Sequence, residues 1–202
     1  IDGTKPSRAA WFLKEKLLPP IYWQAMLKGK EWMAKPQKQI AKQLHTEFLS
    51  CYQAITDDGS VSAKAVAIRA LKQLCLHYLA KTDSAKAASL IEQAAASTNM
   101  TNVLGALSSV VKAAHPLSNQ LLAHFDSQWR HDVLVMDKWF ALQAMNSADD
   151  AIEKIKALYT HPCFDFSNPN RVRALVGSFS HFNTAQFHRL DGQGYTLLGD
   201  LL

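Results

Sequence analysis

The sequence predicts an all-α fold of superhelical antiparallel helix pairs, an irregular α-solenoid. Three observations carry that reading. Apolar residues recur at i, i+3, i+4 and i+7 in one segment after another, the signature of an amphipathic helix. Helix starts fall near residues 61, 83, 100, 117, 132, 148 and 169, so they are 15 to 22 residues apart. Turn formers are scarce, with 8 Gly and 7 Pro in 202 residues, and no period-2 run calls for a strand.

Each helix has its own signals. Ala63, Val66, Ala67, Ala70, Leu71, Leu74, Cys75, Tyr78 and Leu79 form a four-turn stripe, with Lys64, Arg69, Lys72 and Lys81 off it. The turn Asp57-Asp58-Gly59-Ser60 precedes this helix. Thr82-Asp83-Ser84 opens the next, over Ala85 to Ala96, because a short polar side chain can accept a free N–H of the first turn. Asn99 or Thr101 opens a helix carrying Val103, Leu104, Leu107, Val110, Val111 and Ala114. Pro116 is expected to stop it, since proline lacks an N–H and disfavours helical geometry in His115. Ser118 or Asn119 starts a helix with Leu121, Leu122, Phe125 and Trp129. Residues 132–145 follow, with Val133, Met136, Trp139, Phe140 and Ala144. Ser147 is expected to cap a helix carrying Ile152, Ile155, Leu158 and Tyr159. Asn168-Pro169 is a capping side chain followed by proline in the first turn, where its missing N–H costs nothing. Val172, Leu175, Val176 and Phe179 give that last helix its buried face. Taken in pairs these starts make one helical hairpin per roughly 35–40 residues, the period of HEAT and armadillo repeats.

Composition and charge bound the function. With 48% hydrophobic and 19% charged residues the chain can bury a core and is not disordered. No apolar run approaches the ~18 residues of a membrane span, so no membrane partner is expected. Residues 1–45 carry nine Lys/Arg against three acids, a net +6, whereas residues 46–202 sum to −1. The basic balance therefore belongs to the first fifth of the chain, and a nucleic-acid partner is not expected. That part, residues 1–46, reads as a basic helical segment with Trp11, Trp23 and Trp32, broken by Pro19-Pro20. Residues 47–202 read as the solenoid, cut short inside the apolar run that ends at Leu202. Opening at Ile1, the chain reads as part of a longer polypeptide. Cys51, Cys75 and Cys163 are an odd count without C-x-x-C, which fits a reducing, cytoplasmic compartment. Cys75, on its apolar stripe, is expected to be an inert core thiol.

Motifs for chemistry are missing. None of the eight His are four apart, and no H-E-x-x-H, G-x-S-x-G or phosphate loop occurs. Asp191-Gly192-Gln193-Gly194-Tyr195 contains G-x-G without a strand before it, so it reads as a turn between helices. Asp137-Lys138 interrupts the apolar run Val133–Met145, either as a solvated strip or as a charged pair lining a cavity or interdomain contact. Arg171 and Arg173 flank the last stripe. Such arginines are ordinarily solvated or bridge to neighbours. Their place in a first turn opposes the helix dipole, which points to a further role.

Several runs resemble the C-terminal domain of bacterial aminopeptidase N, the zinc alanyl aminopeptidase family. They include Ala67-x-Arg69-x-Leu71 with Cys75-Leu76-x-Tyr78-Leu79, and Asn99-Met100-Thr101 with Leu104-x-Ala106-Leu107. More specific are Leu134-Val135-Met136-Asp137-Lys138-Trp139-Phe140 and the run from Ser167-Asn168-Pro169-Asn170-Arg171-Val172-Arg173 through Gly177-Ser178-Phe179. Phe187-His188 and Asp191-Gly192-x-Gly194-Tyr195 follow in order. The resemblance spans about residues 47–202 and implies a helical cap over a zinc catalytic domain of the same parent chain. By that likeness the chain has no catalytic residues, no metal and no cofactor of its own. Zinc would sit in the absent catalytic domain, and peptide substrates would be met only indirectly. The likeness makes Arg173, with Arg171 beside it, a residue of the substrate chamber. It makes Asp137, Lys138, Asn168 and Asn170 interdomain or chamber-wall residues. The rival expectation is a free-standing α-solenoid scaffold that binds a protein partner.

Overall fold

The computed structural model of the protein describes residues 36–201. The predicted features of the N-terminal segment before residue 36 lie outside the described residues. Among the described residues all regular structure is helical, and no helix is long and apolar enough to cross a membrane. The described chain divides into two compact units, residues 36–128 and residues 129–201.

In the first unit, helical residues 36–43 lead into α1 (His45–Ala54), α2 (Ala63–Leu79), α3 (Ala85–Ala95), α4 (Met100–Lys112) and α5 (Ser118–Trp129), whose last residue falls in the second unit. Side-chain caps set the starts. Ser62 accepts from Ala65 N, Ser84 from Ala87 N and Asn99 from Thr101 N. Each such cap is worth about 1 kcal/mol, because it satisfies an amide that the helix leaves open. Leu79, Ile91, Leu107, Val110 and Val111 are buried to within about 1%. Burying each such side chain contributes roughly 1.5–3 kcal/mol.

Two expectations need correction here. The α2 stripe holds only toward its C-terminal end, where Cys75 and Leu79 are buried. Val66, Leu71 and Leu74 are exposed, and the buried face instead runs through Ala65, Arg69 and Leu76. Arg69, expected off the stripe, is 5% exposed because Asp57 from the preceding turn meets it with a carboxylate. Pro116 is also not what ends α4. The helix closes earlier, at Ala114 with φ +50°, where His115 N reaches back to Val110 O. This left-handed closure satisfies a terminal carbonyl before proline is reached.

The second unit contains α6 (Val133–Ala144) and α7 (Ala151–Leu158). A continuous helical run follows: α8 (Pro169–Val172), a π-helical turn (Arg173–Gly177) and α9 (Ser178–Phe182). Short α10 (Thr184–Phe187) and α11 (Gln193–Gly199) complete it. Met136, Phe140, Ile152, Ile155, Leu175 and Phe179 are its fully buried centre. Asp132 caps α6, accepting from Leu134 N and Val135 N at 3.0 Å each. Ser147 does not cap α7. Asn146 Oδ1 instead accepts from Ala148 N at 2.9 Å, which makes a turn first, and α7 begins after Asp150. Asn183 Nδ2 donates to Ala144 O at 2.9 Å and Asn146 O at 2.7 Å, fastening the end of α6 to the end of α9. Of the expected turn Asp191 to Tyr195 only Asp191-Gly192 is non-helical, and Gln193, Gly194 and Tyr195 already belong to α11. Gly192 has φ +73°, and a Cβ on Gly194 would collide with the Phe187 carbonyl.

Candidate functional site

A groove of about 760 Å³ opens on the second unit, between the N-terminal half of α6 and the α8–π–α9 run. The local sequence builds it in steps. Asn168 Oδ1 accepts from Asn170 N at 3.0 Å and Arg171 N at 3.3 Å, and Pro169 occupies the first turn. The π turn then holds one residue more per turn than an α-helix. Leu175, Val176 and Phe179 consequently stay in the core, while Arg173, Ala174, Gly177 and Ser178 all line the groove. Such π turns are rare and recur at functional sites.

Arg173 is exposed on this wall. Its Nη1 donates to Asn170 Oδ1 at 3.1 Å, which holds the guanidinium along the groove. Gly177 makes room for it: a Cβ there would stand 3.3 Å from Arg173 Cγ. Across from it, α6 contributes Leu134, 73% exposed, and Asp137. His181 and the exposed Phe182 close the α9 end. His181 Nδ1 lies 2.8 Å from Gly177 O.

Arg171 lies beneath rather than in the groove, 3% exposed, so of the two ordinary readings, solvated or bridging to a neighbour, the bridging one holds. Its Nε stands 3.3 Å from Asp137 Oδ1, and Nη2 donates to Val133 O at 3.3 Å. The guanidinium carbon lies 4.9 Å from the centre of the Phe140 ring. Neither Arg171 Nε nor Nη1, nor Asp137 Oδ1, has a hydrogen-bond partner of good geometry. The pair thus neutralises Asp137 by charge more than by directed bonds, so the groove's own cation, Arg173, is not spent on it.

Of the six residues singled out from sequence, the structure brings Arg173, Asn170 and Asp137 together at the groove, with Arg171 under it. Asn168 is a helix cap. Lys138 is exposed and outside the groove lining. Sequence reasoning did not single out Leu134, Gly177, His181 or Phe182. A signal for Gly177 was available, since it sits four residues after Arg173 inside an otherwise bulky run.

The arrangement offers a fixed guanidinium, an amide and an imidazole between apolar walls. That set can accept a carboxylate or carbonyl by N–H donation while apolar surface packs beside it. No three His, Cys, Asp or Glu side chains converge among the described residues, so these do not fit a metal ion. Elsewhere in the unit, burial pushes the hydroxyls of Tyr159 and Tyr195 up to about 12. Tyr195 OH lies 2.6 Å from His188 Nδ1, a packed polar pair rather than a reactive one.

Comparison with known proteins places this geometry in context. A family model described as "Domain of unknown function (DUF3458_C) ARM repeats" matches residues 28–202. The chain is 45% identical over 168 residues to an aminopeptidase N of Haemophilus influenzae, covering 82% of this chain and 19% of that protein. It is 38% identical over 167 residues to aminopeptidase N of Escherichia coli, with the same coverage of each. The solved structure of Legionella pneumophila aminopeptidase A in complex with aspartic acid matches with a TM-score of 0.74 and 29% identity. That match covers 96% of this chain and 25% of that one. The chain therefore spans about a fifth of the length of the curated relatives it matches, at their C-terminal part.

Proposed function

The chain belongs to the DUF3458_C family of ARM-repeat domains, and from that premise we propose that it is the C-terminal cap of a zinc aminopeptidase. In this reading it covers the active-site chamber of its parent and limits which peptides enter. It carries no catalytic residue itself. Its partner is the catalytic domain of the same parent chain, and the zinc is held there, outside this chain. Unpaired thiols at Cys51, Cys75 and Cys163 accord with a cytoplasmic parent.

One observation carries the proposal: the groove fixes an exposed guanidinium, Arg173, by Asn170 and Gly177, on a domain whose relatives are aminopeptidases. A wall of this kind acts by exclusion and orientation. Closing a chamber removes water and restricts substrate length, and a held guanidinium docks a peptide carboxylate or carbonyl without further ordering cost. A charge-assisted hydrogen bond of this type is worth about 1.5–3 kcal/mol.

In the full-length parent, Arg173→Ala should leave zinc content unchanged and lower kcat/KM for short peptides by about ten- to a hundredfold, from the loss of one such bond. Arg173→Lys should recover part of the loss. Unchanged kinetics over peptides of several lengths would sink the chamber role of Arg173.

A further inference from the structure

We propose that Cys51 and Cys75 are a redox-responsive dithiol pair, closed by a peroxide to an intramolecular disulfide that staples α1 to α2. The register of the two helices brings the residues together. Phe48 on α1 stacks on Tyr78 of α2, ring centres 4.7 Å apart and planes within 5°. One step along the seam is three residues up one helix and three down the other, which puts Cys51 opposite Cys75. A step further, Lys72 Nζ donates to Ile55 O at 3.3 Å and lies 4.5 Å from the centre of the Tyr52 ring. Past the end of α1 the same register meets Asp57 with Arg69 at 2.9 Å. Contacts on both sides of the cysteines therefore fix an antiparallel alignment in which they face each other. The two thiols are close enough for Cys51 to act electrostatically on Cys75.

A disulfide spans roughly 4.4–6.8 Å between Cα atoms, and the proposed bond requires the facing pair to come within that span. The two thiols have unequal roles. Cys51 is half-buried and Cys75 is 2% exposed. Burial pushes the Cys75 thiol up to about 12, and the neighbouring Cys51 adds to it. The peroxide therefore meets Cys51 first. The Cys51 thiolate attacks the O–O bond, which breaks; one oxygen stays as the Cys51 sulfenic acid and the other leaves as water. Cys75 sulfur then attacks Cys51 sulfur. The S–S bond forms, the S–O bond breaks, and the departing oxygen takes the Cys75 proton as a second water. Two thiols are oxidised and one peroxide is reduced to two waters.

The test is treatment of the 202-residue chain, and of its Cys163→Ser variant, with a few equivalents of hydrogen peroxide, followed by denaturing alkylation and peptide mapping. The expected result is a monomer with one alkylatable thiol in the unsubstituted chain and none in the variant, a mass lower by about 2 Da, and a dithiothreitol-reversible peptide pair joining positions 51 and 75. Cys51→Ser should leave Cys75 reduced under the same treatment. Retention of both thiols, Cys51 accumulating as a sulfinic acid beside a free Cys75, or Cys75 oxidising as fast in Cys51→Ser would each overturn the proposal. Should Cys51→Ser fail to fold, the map of the unsubstituted chain decides alone.

Discussion

Among the described residues the two units each bury one arginine, and they do so differently. Arg69, in the first unit, has a matched acceptor on each side. Its Nη1 meets Asp57 Oδ1 at 2.9 Å and its Nη2 donates to Ser60 O at 2.7 Å. The Asp57 side chain is itself only 10% exposed. Arg171, in the second unit, is as deeply buried but poorly matched. It has one 3.3 Å bond to a carbonyl, a misaligned carboxylate and an aromatic face, and two of its nitrogens are unpaired. A buried ion pair is stabilising only when its hydrogen bonds are made, because desolvation otherwise cancels the attraction. Arg69 thus clasps a turn to a helix. Arg171 contributes less to stability and sits where its charge matters, under a groove lined by the carboxylate it neutralises.

The sharpest test of that difference is stability. Arg69→Met strands Asp57 as a buried, unpaired carboxylate and should cost about 3–5 kcal/mol. Arg171→Met loses one modest hydrogen bond and a cation–π contact, while Asp137, with a side chain 21% exposed, can turn to solvent. It should cost about 1–2 kcal/mol. Urea unfolding midpoints at constant slope measure both. Equal losses would mean that Arg171 is as firmly bonded as Arg69 and would break the comparison.

The same contrast marks what the sequence makes legible. Caps at Ser84, Asn99 and Asn168 are local events, an oxygen two or three residues from a free amide, and the sequence spells them out. Arg69 is not local in that sense. Periodicity alone assigns a cation to the solvent face, and only the carboxylate of Asp57, arriving from a turn, reverses it. Ser147 misled for a related reason, since Asn146 first makes a turn with Ala148 N and the helix starts only after Asp150. The groove was legible by half. Arg173, Asn170 and Asp137 stand out as polar residues in or beside apolar runs. Leu134 and Phe182 do not, because an exposed apolar residue looks like a core residue until the fold shows its surroundings. The π turn adds one residue to one helical turn, and no periodicity window resolves a shift that small.

The smallest effect concerns pH and again separates the two units. His77, half-buried on α2, is held down at about 4, first by burial and then by the cationic Lys81 and Lys112. Above its ordinary value of 6.5 the imidazole is neutral in the folded and unfolded chains alike, and it contributes no pH dependence. As pH falls from 6.5 toward 4 only the unfolded chain takes up the proton, so stability is lost through that window and levels off below it. With its partial exposure discounted, the loss should be roughly 1 kcal/mol by pH 5. His77→Gln should flatten this slope, and the Arg171→Met variant should retain it, because the histidine belongs to the Arg69 unit. Parallel slopes for wild type and His77→Gln between pH 7 and 5 would show that the acid sensitivity arises elsewhere.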